Sequence, residues 1–316
     1  MNYKLKSFFK TVLFKNTLGV KIYKGIAAIV SKHRSNLTDE EYVLNAYREN
    51  NGIALNLAEP KTFNEKLLWL SLHDHLPLKT KCADKLLVRE FITEKGYGHI
   101  LNELYAAYDS VENIEYDKLP QVFFMKTNHD SGTYALVDQC APSTIKKAEE
   151  LIKKALKKNY YYESREWQYK DIKPHVLCEK YIEEAATHGL VDYRFFCFAG
   201  KTGFVAVDMG TTDPSGKHAF DAKRNLYNRD FELLNAKLKR EHFDPSLLKK
   251  PENYEEMVKI AEDLAKPFKH VRVDLYNVNG KIIFGEMTFC NGGGMQRLTP
   301  DEFNLEIGML IDLSDS

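Results

Sequence analysis

The sequence contains no pair of cysteines spaced as CxxC. Its five cysteines, Cys82, Cys140, Cys178, Cys197 and Cys290, are odd in number and widely scattered. That argues against a disulfide framework and against a zinc site, and it fits a reducing compartment. A charge surplus is also lacking: 45 basic and 45 acidic side chains share 316 residues, so no nucleic-acid partner is expected. No apolar run approaches the ~20 residues of a spanning helix, and the first residues hold no clean apolar stretch. Neither membrane spanning nor secretion through a signal peptide is expected, and the expected location is the cytoplasm.

Several catalytic machineries lack their anchors. Gly200-Lys201-Thr202 ends like a P-loop, yet the position where that motif requires its first glycine is Phe195. There is no GxGxxG, HExxH, GxSxG or HRD, which removes the dinucleotide-binding, zincin, hydrolase and protein-kinase readings. The absence of a DxD triplet weakens a metal-dependent glycosyltransferase. His129, His188 and His270 are not spaced as metal ligands and read as loop or core residues.

What is present begins with a one-sided segment. Met1 to Thr38 carries no acidic residue, while Lys4, Lys6, Lys10, Lys15, Lys21, Lys24, Lys32 and Arg34 interleave with Leu5, Phe8, Phe9, Val12, Leu13 and Phe14. Two readings stand side by side: a basic amphipathic helix lying on an anionic inner-membrane surface, and a helix packed on the body with a solvated basic face. From about 39 to 118 the pattern is helical, starting at Thr38-Asp39-Glu40-Glu41 and broken at Pro60, Pro77 and Gly96. After Pro120 short β-branched or aromatic runs predict strands over 121–126, 133–138, 175–182, 192–198 and 203–208, with a helix over 143–158 between the second and third. A helix over 254–266 then precedes a hairpin, 271–276 and 282–289, turning at Asn279-Gly280, and a short helix over 300–313 closes the chain. The expected class is α+β.

The hairpin carries the most informative chemistry. Arg272-Val273-Asp274 lies on one strand and Glu286-Met287-Thr288 on the next, followed by Asn291-Gly292-Gly293-Gly294. If Asp274 and Glu286 face one side, their oxygens can bridge one or two Mg²⁺ ions that take substrate phosphates as further ligands. Thr288 and Arg272 return to that side by the period of two, Arg272 as a bidentate partner for phosphate. Lys126 ends a hydrophobic strand before Thr127-Asn128-His129-Asp130-Ser131-Gly132, which suits a phosphate held by one point charge and loop amides. Backbone of Lys180 to Ile182 can meet a purine edge, with Glu179 or Glu183 accepting from an amine or ribose hydroxyl. The alternatives are an exposed polar face for the hairpin, a solvated lysine and an ordinary half-buried strand.

In this order the pieces resemble the ATP-grasp superfamily: Asp84-Lys85, Lys126 with its loop, Glu179-Lys180-Tyr181-Ile182, Arg272-Val273-Asp274 and Glu286-Met287-Thr288. More narrowly, Pro60 to Lys66 (PKTFNEK), Asn159 to Tyr169 (NYYYESREWQY) and Asp192 to Phe198 (DYRFFCF) look like its TupA-like branch, named for teichuronopeptide synthesis. The match covers roughly residues 55 to 310. The resemblance implies two α+β lobes enclosing MgATP behind a mainly helical N-terminal region, with boundaries expected at 1–82, 83–182 and 183–316. It implies Lys85 and Lys126 at the phosphates with Asn128, Ser131, Gly132 and Arg194, Glu179 to Ile182 at adenine, and Arg272 with Lys126 in catalysis. Asp274 and Glu286 correspond to the metal carboxylates; Thr288 stands where superfamily members commonly have asparagine. Arg165, Trp167, Arg224 and Gly293 are expected on the substrate side.

The branch occurs among capsule, O-antigen and teichuronopeptide genes. The implied activity is therefore ligation of an amine to a uronic-acid carboxylate through an acylphosphate, on a sugar nucleotide, a lipid-linked unit or a polymer. The alternative is a glycosyltransferase of the same pathway.

Overall fold

The computed structural model describes residues 36–183, 190–211 and 222–314. The basic amphipathic segment expected over 1–38 lies almost wholly outside the described residues. None of the described helices is long and apolar enough to cross a membrane.

The chain begins with four helices whose ends are written in the sequence. α1 (Asp39–Asn51) and α2 (Phe63–His73) each start on a reciprocal capping box, Thr38 with Glu41 and Thr62 with Glu65, and α1 stops at Gly52 in the left-handed conformation. α3 (Pro77–Ala83) opens on proline, and α4 (Val88–Glu94) follows.

Next comes a four-stranded antiparallel sheet in the order β1-β4-β2-β3, from β1 (Leu104–Tyr108), β2 (Val122–Thr127), β3 (Tyr134–Asp138) and β4 (Val176–Glu179). Alternation along β2 sends Phe123 and Met125 into a core with Val137, Val176 and Ile152 of α5 (Pro142–Leu156), which the short α6 (Tyr161–Ser164) follows. Phe124 and Lys126 therefore take the opposite face, and the pairing of Phe124 with Glu179 puts Glu179 there too. β1 was not expected, since Leu104-Tyr105-Ala106-Ala107-Tyr108 has no β-branched residue and sits at the sheet edge. The strand expected over 175–182 ends at Glu179, before the hinge into the second sheet.

The second sheet has five antiparallel strands in the order β10-β9-β5-β6-β7: β5 (Asp192–Phe198), β6 (Lys201–Met209), β7 (Lys223–Tyr227), β9 (His270–Val278) and β10 (Lys281–Thr288). A small pair, β8 (Lys237–Leu238) and β11 (Leu298–Thr299), sits beside it. One face, with Phe195, Val205, Val207, Val273 and Leu275, packs on Tyr254, Met257, Ile260, Ala261 and Leu264 of α7 (Tyr254–Ala265). The other face divides. At one end Phe196, Phe198 and Phe204 surround Phe63 of α2, with ring centroids 6.2, 6.1 and 6.5 Å away, and Ile307 of α8 (Asp301–Met309) joins them. At the other end the same alternation presents charge. α1 and α2 share one core with the five-stranded sheet, and α3 and α4 share another with α7, so packing runs across residue 82.

Candidate active site

The two sheets face each other across a cleft of about 930 Å³. Its floor is the charged half of the five-stranded sheet, where pairing lines up Glu286, Asp274 and Arg194 on neighbouring strands.

That alignment depends on a one-residue irregularity. Asn279 (φ 52°) and Gly280 (φ 81°) form the tight turn of the β9–β10 hairpin, from which the pairing runs Val278 to Lys281 and on to Leu275 with Phe284. Continued unbroken, this register would set Gly285 opposite Asp274 and turn Glu286 to the other face. A bulge at Gly285 shifts the pairing, so Glu286 lies directly opposite Asp274. Glycine suits this close approach, since a Cβ there would stand 3.0 Å from the Asp274 carbonyl oxygen and 3.2 Å from the Tyr276 ring and would crowd both.

Arg272 holds this pair together. Its Nε and Nη2 donate to the two Asp274 oxygens, both at 2.6 Å, and Nη2 also donates to Glu286 Oε1 at 2.6 Å; Nη1 donates to Asn291 Oδ1. Thr288 donates to Glu286 Oε1 at 3.0 Å. Burial raises the Asp274 carboxyl to about 6, with Arg272 and Arg194 opposing the rise. At Glu286 burial also acts upward, but Arg272, Lys85 and Arg194 outweigh it and hold that carboxyl below its ordinary range. With 42% of the Glu286 side chain open to the cleft, solvent screens part of that pull.

These donors fit Mg²⁺. The ion uses one or two carboxylates and fills its octahedron with waters and phosphate oxygens. Asp274 and Glu286 already share one partner, Arg272 Nη2, which an ion of that size can replace, with Asn291 and Thr288 adjoining. Among the described residues no group of three or more His, Cys, Asp or Glu converges as a dedicated metal cage.

The opposite wall is the four-stranded sheet. Lys126 Nζ lies 2.7 Å from Glu179, which Arg89 approaches at 3.8 Å. Lys85 donates to the Asp130 carbonyl, and its ammonium is pushed down by burial, with Glu286 opposing. Lys85, Lys126, Ser131 and Gly132 line the cleft. Asn128 does not. Fully buried, it donates to Asp84 Oδ1 and the Lys173 carbonyl, both at 2.9 Å, and accepts from the His175 N–H at 2.7 Å. The expectation of Asn128 at the phosphates is corrected on that ground: its polar atoms tie the loop to the protein body.

Glu179, Lys180, Tyr181 and Ile182 line the cleft. Lys180 differs in one respect, since its N–H already donates to the Glu103 carbonyl and its carbonyl accepts from Asn102, both at 2.9 Å. Tyr181 packs on Phe124 at 5.4 Å, and Phe124 on Tyr134 at 5.8 Å, which makes an aromatic shelf beside Ile182.

The segment from Tyr160 to Tyr169 reaches the cleft through other side chains than expected. Arg165 stands in the left-handed conformation (φ 59°), turned away to Asp39 (Nη1–Oδ1 3.1 Å), over the Tyr42 and Tyr161 rings. Trp167 packs on His75 at 4.6 Å. Arg165 and Trp167 are thus corrected from cleft residues to anchors, because their partners lie on the helical front part. Tyr160, Ser164, Glu166 and Tyr169 line the cleft instead. Burial raises the Glu166 carboxyl to about 8; Gln168, donating at 3.1 Å, and Arg272 pull the other way. The backbone reversal at Arg165 sends its neighbour Glu166 to the cleft, which no spacing rule in the sequence would show.

Arg224 and Gly293 line the cleft. Gly293 has φ 61°, with open space where a Cβ would stand. Arg224 grips Asp208, Nε to Oδ1 at 2.5 Å and Nη2 to Oδ2 at 2.6 Å, and Arg194 and Arg240 approach the same carboxylate at 3.2 and 2.6 Å.

A family model described as TupA-like ATPgrasp matches residues 65–312. No curated protein matches. Among solved structures, D-alanine–D-alanine ligase from Bacillus anthracis complexed with ATP is 19% identical, with a TM-score of 0.37, over 66% of this chain and 55% of that one. The corresponding ligase from Helicobacter pylori is 15% identical, with a TM-score of 0.37, over 74% and 59%. D-cycloserine synthetase DcsG is 13% identical, with a TM-score of 0.42, over 86% and 93%. The chain spans just over half the length of the two D-alanine–D-alanine ligases.

Proposed function

The chain belongs to the TupA-like ATP-grasp family, and on that premise we propose that it activates a uronic-acid carboxylate with ATP and joins it to an amine, an amino acid among the candidates, during synthesis of a surface polysaccharide. The observation that carries this reading is the meeting, in one cleft, of Lys85, Lys126 and Arg272 with the cross-strand carboxylates Asp274 and Glu286.

A carboxylate is a poor electrophile. Its oxygen first attacks the γ-phosphorus of ATP, and ADP leaves. The amine then attacks the acyl carbon, and phosphate departs with the former carboxylate oxygen. Little covalent chemistry falls to the protein, so positioning and charge neutralisation dominate. Phe124, Tyr181 and Ile182 form the shelf for the base; Lys85 and Lys126 neutralise phosphate oxygens; Arg272 and Arg194 face the charge that builds at the transferred group. Asp274 and Glu286 would hold Mg²⁺, with Asn291 or Thr288 able to add an oxygen. When bound, Mg²⁺ draws charge from the phosphate oxygens and fixes their geometry. Glu166, on the cleft wall, takes the proton that the amine loses on attack.

The test is to incubate the protein with MgATP, glucuronic or galacturonic acid and a panel of amines. Amide with equimolar ADP and phosphate supports the reading; AMP and pyrophosphate, or ATP-independent sugar transfer, overturns it. We also propose that residues 1–38 rest on the anionic face of the cytoplasmic membrane, because their basic residues interleave with apolar ones. Binding to anionic vesicles should weaken with salt and with truncation before Asp39; equal binding by the truncated chain contradicts it.

A further inference from the structure

One end of the cleft carries more positive charge than the proposed ligation needs. Asp208, wholly buried, lies beneath Arg194, Arg224 and Arg240, all within 3.2 Å of its oxygens. Asp192 adds one carboxylate, 3.1 Å from Arg194. Lys239 adds a further cation, and among the described residues no carboxylate pairs with it. Arg194 also turns to Asp274 at 3.8 Å, so with Arg194 matched by Asp192 and Asp274 the other three cations, Arg224, Arg240 and Lys239, share one carboxylate, Asp208. Burial, then Arg240 and Arg224, destabilise the charged form of Lys239, as expected where positive charge is incompletely matched.

The backbone is bent to bring this about. Lys239 has φ 65°, at the centre of a three-residue turn closed by the Arg240 N–H to the Leu238 carbonyl at 2.8 Å. A left-handed lysine in so tight a turn costs energy, and such strain is retained where it positions side chains for use. Lys239 and Arg240 both reach the cleft lining because of it.

The place is as telling as the charge. Asp274 lies on β9, Asp208 two strands away on β6, and Arg224 on β7. At about 4.8 Å per strand, the backbone of Asp208 stands on the order of 10 Å from that of Asp274 and that of Arg224 one strand farther, with Arg194 between the two carboxylates, 3.2 Å from Asp208 and 3.8 Å from Asp274. In a uronic acid the carboxylate and the anomeric carbon lie on either side of the ring oxygen. A diphosphate on the anomeric carbon would stand about that far from the reacting carboxyl. Planar guanidiniums on a shared floor suit its adjacent phosphates.

We propose that Arg224, Lys239 and Arg240 form a subsite for the diphosphate of a glycosyl diphosphate, so that the uronic acid is ligated while still linked to its carrier and before polymerisation. This rests on the ligase reading above. The diphosphate is shared by nucleotide-linked and lipid-linked sugars, and the test separates the two sources.

The experiment compares kcat/KM, with MgATP and one amine, for free glucuronic acid, UDP-glucuronic acid and glucuronic acid carried on farnesyl diphosphate, each with its galacturonic counterpart. A carrier-linked acid should exceed the free acid by about tenfold or more, the value of one or two charge-assisted contacts. Preference for the UDP form identifies a nucleotide carrier, and preference for the farnesyl form a lipid carrier. In Arg240→Ala the preference should fall about tenfold, chiefly through KM. Lys239→Gly, which relieves the strained turn and keeps the fold, should lower it as well. Equal kcat/KM for free and linked acids, or a loss in the variants that falls equally on both, overturns the subsite. If no acid is turned over, the ligase reading fails separately. Calorimetry with UDP-glucuronic acid and the farnesyl-linked acid then decides: binding of either that weakens tenfold in Arg240→Ala supports the subsite, and binding of neither, or unchanged affinity, overturns it.

Discussion

One face of one sheet does two jobs. On β5 and β9 the positions Phe196, Phe198 and His270 continue, at the same period of two, into Arg194, Arg272 and Asp274. The first group is covered by Phe63 of α2 and becomes core; the second is left open and becomes the cleft floor. What covers a strand decides what its alternation is for. The aromatic half should set stability and the charged half activity, and each prediction tests that division.

The largest effect is expected from Phe63→Ala. Phe63 is fully buried among three phenylalanines and His270, and its removal should cost about 3–5 kcal/mol in denaturant unfolding. A cost under about 1 kcal/mol would mean that the aromatic half is not core.

In the charged half, Glu286→Gln and Asp274→Asn should lower kcat on the order of 10²-fold while melting stays near wild type. Both variants retaining near-normal ligation would remove the metal carboxylates from the account. Gly285→Ala crowds the Asp274 carbonyl at the bulge and should lower kcat by about tenfold; unchanged kcat would show that the bulge does not set the carboxylate pair.

The last effect concerns His270, on the aromatic side, and shows only in acid. Its Nδ1–H donates to the Cys197 carbonyl at 2.9 Å, and burial, then Lys79 and Arg272, lower its pKa to about 3. The unfolded chain binds a proton near pH 6.5 that the native state refuses. This contribution is complete above pH 6.5 and lost as pH falls toward 3, by about 1.4 kcal/mol per unit. His270→Leu should flatten the acid limb of stability against pH; an unchanged slope contradicts the assignment.

The helix start at Thr38 to Glu41, the Asn279-Gly280 hairpin and most strands were legible because their signals are local. β1 and β7 were not, because Leu104 to Tyr108 and Lys223 to Tyr227 carry little strand-forming character and owe their pairing to neighbours. The Asp274–Glu286 pair was legible as a motif. Its parity was not, since a regular hairpin places the two on opposite faces and only the Gly285 bulge reunites them. Arg165 and Trp167 misled because composition shows which side chains are available, not which way a left-handed turn sends them. Asn128 misled likewise: Ser131 and Gly132 of its loop border the cleft, but the residue itself is spent on Asp84 and His175.

The central claim is carboxylate activation by phosphoryl transfer, and isotope transfer tests it most directly. With the uronic-acid carboxylate labelled with oxygen-18, MgATP and an amine, the account predicts ADP and one labelled oxygen in each phosphate released with the amide. Unlabelled phosphate, or label in AMP, would contradict it.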